Sequence, residues 1–248
     1  MKRSLAPLAL LLSASAVTGC VQNELSMTVI GFSVISSAAG VCSGSPQSTS
    51  LVQLGVYDVS VPENFGYIAS PIVQNNVVVS GTTTTVERNT INIQGFEIEL
   101  HPEGGANFPM GLSNSFKTTV GAASAPPAGG RQAVIVEAFP RSVAVNQLVP
   151  LIGPHWDGKL LVKMRPFGDI SGNPITGGWA TLPIKLCNGC LTGGVQPCPP
   201  GGFPSASILP GNACFPAQDA DITCCTQGTA TRCGNNAPTG TGSADAGL

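Results

Sequence analysis

The chain has 248 residues, of which 10% are charged and 5% aromatic, and Gly (31) and Pro (21) make up about a fifth of it, well above ordinary usage. Apolar residues at 42% are enough for a core and exclude wholesale disorder, while the low charge excludes a long solvated helix or coiled coil. A pI near 5.6 excludes nucleic acid as a partner, and two histidines, His101 and His155, leave little material for a histidine metal site or a catalytic triad.

Lys2 and Arg3 precede a short apolar run over residues 5–16, with Leu8, Leu10, Leu11 and Leu12 at its centre. The run is too short to cross a bilayer stably and ends in small residues, which marks a targeting segment. Val17-Thr18-Gly19-Cys20 follows at once. This tetrapeptide resembles the lipobox of bacterial lipoproteins. In that family a diacylglycerol is joined to the Cys thiol, the peptide is cut before it, and the new amino end is acylated, often with palmitate. The resemblance implies a signal peptide over residues 1–20, lipidation at Cys20 and the membrane as a partner. The alternative is an ordinary secretory signal with Cys20 as a spare thiol. One acyl chain anchors marginally, at about 0.8 kcal/mol per buried CH₂, whereas several anchor stably. Val21 stands where an Asp would resemble an inner-membrane retention signal, so the resemblance implies the outer membrane, with periplasmic or surface orientation left open. Cleavage leaves nine basic residues against 13 acidic, too few for a basic patch.

Residues 21–186 read as strands: short apolar runs alternate with Gly, Pro, Ser, Thr and Asn clusters, and no helical period lasts three turns. Residues 25–34 form the first expected strand. Gly40-Val41-Cys42-Ser43-Gly44 matches the spacing of a nucleophile elbow, but a Ser/Gly loop surrounds it instead of a strand and a helix. Val52, Leu54 and Val56 alternate with Gln53 and Gly55, and Ile72 with Val77, Val78 and Val79 marks a third region. In residues 90–100, Ile91 and Ile93 share one face. After Gly95 the phase slips by one residue, so that Phe96, Ile98 and Leu100 are apolar and Glu97 and Glu99 polar. Such a slip at a Gly predicts a β-bulge. Glu97 and Glu99 have the form of a paired-carboxylate site. A solvated face is the preferred reading, because no second acid, histidine or aromatic platform can be placed beside them.

Residues 133–138 are expected to form a strand centred on Val134 and Val136. Leu160, Val162 and Met164 form another, and Ala180, Leu182, Ile184 and Leu186 the last. Pro183 lacks a donor, which predicts an edge strand or one paired there only on its other side. Residues 36–50, 101–114 and 121–130 are the expected long connections. Roughly eight strands with this patterning predict an all-β fold, an antiparallel β-sandwich of Ig-like or jelly-roll-like type.

The composition shifts at Leu186-Cys187. Residues 187–233 are rich in Gly, Pro and Cys and cannot build an ordinary core, so they read as a small irregular module stapled by disulfides. Apart from Cys20 there are eight cysteines: Cys42, Cys187, Cys190, Cys198, Cys214, Cys224, Cys225 and Cys233. An even number in an exported chain reads as a disulfide framework. Seven lie between Cys187 and Cys233, and an odd number cannot pair among themselves. Either Cys42 bridges to this module or one of its thiols is free. The bridge is preferred, since a stray thiol is a liability in an oxidising compartment. Cys187-Asn188-Gly189-Cys190 is the rival zinc or redox motif. No second spaced pair follows to complete a zinc ribbon, and Leu191-Thr192-Gly193-Gly194 does not start a helix, so neither metal nor cofactor is expected. The Asp219…Cys224-Cys225…Cys233 spacing weakly resembles small cystine-knot-like modules, which adds to the disulfide reading. Asp219 and Asp221 could be calcium ligands, but they lack a Gly-centred loop and read as a turn. Residues 234–248 read as a disordered tail. The whole arrangement resembles a group of outer-membrane or cell-surface bacterial lipoproteins that join a lipobox and an all-β domain to a motif like Leu186-Cys187-Asn188-Gly189-Cys190-Leu191, and that group has no activity to carry over.

Three functions remain. The expected one is a membrane-anchored envelope lipoprotein with a non-enzymatic binding or structural role, its partner an envelope protein or glycan, with no catalytic residues. The first alternative is an envelope glycan or peptide hydrolase using His101, or His155 beside Trp156 and Asp157 in a Gly/Pro turn. The second is a carbohydrate-binding module, for which Trp156, Trp179, Tyr57 and Tyr67 are the available aromatic platforms.

Overall fold

A computed structural model describes residues 26–61, 65–78, 89–103, 115–143, 146, 158–237 and 239–240. Cys20 with the expected targeting segment, His155, Trp156 and Asp157, and residues 241–248 lie outside the described residues. The first strands in chain order are β1 (Met27–Phe32), β2 (Ile35–Ala38), β3 (Val41–Gly44), β4 (Gly55–Asp58), β5 (Tyr67–Ala69) and β6 (Pro71–Asn75). Next come β7 (Ile91–Pro102), β8 (Ser115–Ala125), β9 (Arg131–Ala133), β10 (Val136–Phe139), β11 (Gly158–Ile170), β12 (Asn173–Thr176) and β13 (Ala180–Cys187). The Cys-rich region contributes β14 (Gln196–Pro197), β15 (Phe203–Pro204), β16 (Cys224–Gln227), β17 (Ala230–Cys233) and β18 (Thr239–Gly240).

The fold is all-β. One layer is a sheet in the order β4-β13-β11-β7-β8, with β12 also paired to β11. The other is built from β1-β6-β9 and from β10-β5. Pairing is antiparallel through most of both layers; β4 joins β13 in parallel. The core follows from the two-residue period. Phe96, Ile98, Leu100, Leu160, Val162, Met164, Ile184 and Leu186 face inward and are almost fully buried. They belong to one apolar cluster with Met27, Tyr67, Val73, Val136 and Phe139 of the opposing layer. Each large side chain so buried contributes about 2 kcal/mol of transfer free energy.

The bulge at Gly95 is present: the register shifts between Ile93 and Gly95 against β8, and between Phe167 and Gly168 against β11. Pro183 falls opposite Leu161 of β11, and β4 begins only opposite Ile184, so at the proline the strand has a neighbour on one side.

Other expectations are corrected. Val52 and Leu54 are not in a strand; only β4 is extended there. Val77 and Val78 follow β6 without joining it, and Val79 lies outside the described residues. The single strand expected over 133–138 is two: β9 pairs with β6 and β10 with β5, because the chain passes from one sheet to another at Val134. All three of the expected connections contain strand residues, the second because β7 runs on through Pro102. Residues 36–50 hold the β2–β3 hairpin, whose turn residues Ala39 and Gly40 have φ of 51° and 79°, and residues 121–125 complete β8. Of the residues expected to form a tail, 234–237 and 239–240 are ordered: Gly234 donates its N–H to Thr223, and β18 pairs with β15.

Candidate functional site

The Cys-rich region is joined to the sandwich by hydrogen bonds as well as by sulfur. All eight cysteines are bridged: Cys42–Cys214, Cys187–Cys190, Cys198–Cys225 and Cys224–Cys233. Cys42, the centre of the elbow-like match, therefore ties the β2–β3 hairpin to the far end of the chain. Residues 217–219 seal two strand edges. Asp58 N–H donates to Ala217 O, and Asp219 N–H donates to Val56 O on β4. The buried Gln218 side chain accepts from Ile68 N–H and donates to Ile68 O on β5, each at 2.9 Å. Pairing removes the hazard of exposed strand edges.

Beside this seam lies a cavity of about 570 Å³, a size suited to a small ligand. Phe32, Ile35, Leu51, Leu54, Ile68 and Leu182 supply most of its apolar wall. Leu51 and Leu54 stay exposed at 36% and 43%, giving the opening an apolar rim. Two polar pairs interrupt the wall. Ser33 Oγ donates to Ser70 Oγ at 3.0 Å, both residues being buried. Gly44 packs so close to this pair that any Cβ there would strike both hydroxyls. At the other end Tyr67 donates its hydroxyl to Asp219 Oδ2 at 2.9 Å, while Asp219 Oδ1 accepts from Val56 N–H at 2.7 Å.

Burial raises the Tyr67 hydroxyl well above the ordinary tyrosine pKa, with the Asp219 charge adding to it. The phenol therefore stays a neutral donor. Asp219 is exposed as a residue, but its carboxyl turns inward to these partners. Partial desolvation raises its pKa, opposed by the bonds from Val56, Tyr67 and Gln218. Asp219 is thus a structural acceptor with φ of 62°, and Asp221 is exposed; the calcium reading of the pair gains nothing from this geometry. Among the described residues the cavity wall contains no histidine or lysine that could activate a serine.

The other candidates sit on the outer face of the large sheet. Glu97 accepts from Lys117 across one strand and from Arg165 across the other. Glu99 lies 3.1 Å from His101 Nε2. This is the solvated face, where Glu97 meets two cations and Glu99 has beside it a histidine that the sequence reading did not place there. Trp179 is 42% exposed there, with the Arg165 guanidinium 4.7 Å from its ring centroid. Tyr57 and Tyr67 are buried core residues, not platforms.

Asp58 escaped the sequence reading. It is fully buried, and its Oδ1 accepts from Ser60 N–H, Ser60 Oγ and Gly189 N–H. Its Oδ2 accepts from Leu191 N–H at 2.9 Å. The carboxylate therefore holds the Cys187-Asn188-Gly189-Cys190 turn from within. The Asp58-Val59-Ser60 spacing is a recognisable Asx-turn signal, but nothing local announces partners 131 and 133 positions away. One of its oxygens and the sulfurs of Cys187 and Cys190 lie within 4.8 Å of one another, close enough to hold a metal were the two sulfurs not joined.

No protein-family model, characterised protein or solved structure matches the chain.

Proposed function

We propose that this protein is a non-enzymatic lipoprotein of the bacterial cell envelope, held at the outer membrane through acyl chains on Cys20. Its cavity would bind an apolar group of an envelope partner. The observation that carries the anchor is the cysteine balance: the eight cysteines after Cys20 are all bonded to one another, so none is left to pair with it. Four bridges also fit an oxidising compartment. The binding reading rests on a cavity with a largely apolar wall, in which Ser33 bonds to Ser70 and Tyr67 to Asp219. The test is the intact mass and membrane partition of the native protein beside Cys20→Ala. An acyl mass on a chain beginning at Cys20, with the variant released from the membrane, supports the proposal; a soluble, unacylated wild type ends it.

A second reading is glycan binding on the outer face. It is favoured by exposed Trp179, flanked by Arg165, Glu97 and Lys117, which offers a ring for stacking beside hydrogen-bonding groups. Pull-down on envelope glycans that Trp179→Ala abolishes would support it, and no wild-type pull-down would remove it.

A further inference from the structure

We infer that Cys187–Cys190 is an exchangeable disulfide that reacts with the thiols of a dithiol peptide, a redox activity beyond the binding role proposed above. Three observations carry this. First, the pair is asymmetric: Cys187 is 2% exposed, while Cys190 is the one exposed cysteine among the eight that are bridged. Exposed disulfides are the labile ones, and a buried partner directs attack to the outer sulfur.

Second, this bridge closes the shortest loop of the four. The other three bridges join residues 9, 27 and 172 positions apart, whereas this one closes a step of 3. Its loop therefore contributes least to restricting the unfolded chain. The turn is held independently by Asp58, through Gly189 and Leu191 N–H, and Cys187 is held by the bond from Val59 N–H to its carbonyl. Opening the sulfur bond leaves those contacts in place.

Third, Cys190 sits at the edge of an open groove of about 450 Å³, whose wall includes Leu191, Phe203 and Leu209, with Asp221 at its rim. Leu209 is 51% exposed. A peptide segment lying there would bring its thiol to Cys190.

The exchange balances. A substrate thiolate attacks Cys190 Sγ, the Cys187–Cys190 bond breaks, and Cys187 leaves with the electron pair and takes a proton. Its Sγ lies 3.5 Å from the Tyr57 carbonyl, an acceptor for the new S–H. The second substrate thiolate then attacks the substrate sulfur of the mixed disulfide and releases Cys190, which is protonated. The substrate dithiol is oxidised to a disulfide, and the protein pair is reduced to two thiols.

The full chain, in detergent, is titrated with dithiothreitol and then alkylated, and each cysteine is read by peptide mass. Cys187 and Cys190 are expected to be alkylated at a tenfold lower reductant concentration than the other six. A fluorescent peptide carrying one disulfide is expected to form a mixed disulfide with Cys190 in Cys187→Ser, whose thiolate attacks the peptide disulfide in the reverse of the exchange and releases a peptide thiol, and at under a tenth of that yield in Cys190→Ser. Opening of this bridge together with the others or after them, or equal trapping in the two variants, would overturn the inference. Should Cys187→Ser fail to fold, the wild-type order of reduction decides alone. Acylation and membrane partition do not enter either readout.

Discussion

Tyr67 and Asp219 stand 152 positions apart in the chain, and the phenol hydroxyl of the first donates to the carboxylate of the second at 2.9 Å. The bond joins the sandwich to the Cys-rich segment at the wall of the cavity. Tyr67→Phe keeps the ring that packs on Phe139 and removes only the hydroxyl. A loss of about 1–2 kcal/mol is expected, read as a shift of the urea midpoint with unchanged slope. An unchanged midpoint would mean that solvent replaces the hydroxyl without cost.

Asp58→Asn should be more damaging. The amide nitrogen cannot accept, so one of the four donors gathered on the buried carboxylate is left facing another donor. A loss of about 3 kcal/mol is expected in equilibrium unfolding under non-reducing conditions. Mass analysis should find the same four bridges, which would separate a lost hydrogen-bond hub from altered oxidation.

Replacing Cys42 and Cys214 together by Ser frees a loop of 172 positions. In the chain-entropy model this costs about 5 kcal/mol, the largest effect of removing any one bridge here. Thermal unfolding of the double variant against the corresponding Cys224/Cys233 variant, whose separation is only 9, measures the difference.

Glu97 supplies a pH dependence. The hydrogen bond from Lys117, joined by those of Arg165, holds its carboxyl below the usual glutamate pKa despite some desolvation. Its contribution to stability is present above the unfolded-state value of about 4.3 and is lost as pH falls through the lower folded value. Because Lys117 is 68% exposed, the contribution is held to about 1 kcal/mol or less by solvent screening. Glu97→Gln should unfold earlier than wild type at neutral pH, and the gap should close at the acid end of a urea series. A gap that persists there would point to packing instead of charge.

Much of the fold was legible because the inward faces of β7, β11 and β13 carry large side chains at a strict two-residue period. At Gly95 even the defect in that period could be read. β8 could not, because its side chains are mostly small or polar and only partly covered, as suits a strand with a single neighbour in its sheet, so no alternation marks it. The split between β9 and β10 was hidden for the opposite reason. Val134 and Val136 are both buried, and an unbroken apolar rhythm does not reveal that the chain changes sheets. The cysteine parity pointed correctly to a bridge from Cys42. Its partner, and the use of Asp58 and Asp219 as hydrogen-bond hubs, depend on long-range register that local spacing does not encode.

The distance along the chain between Cys42 and Cys214, and between β4 and β13, sets a clock on assembly. As the polypeptide emerges amino end first, β4 is delivered long before β13 and the residues 217–219 that bond to it, and Cys42 of the β2–β3 hairpin long before Cys214. β4 must wait for residues 180–187, and Cys42 for the last fifth of the chain. Non-local pairing of this kind slows folding and exposes unpaired edges. The edge of β4 must therefore be kept from foreign strands until β13 has been made, and Cys42 from foreign thiols until Cys214 has appeared.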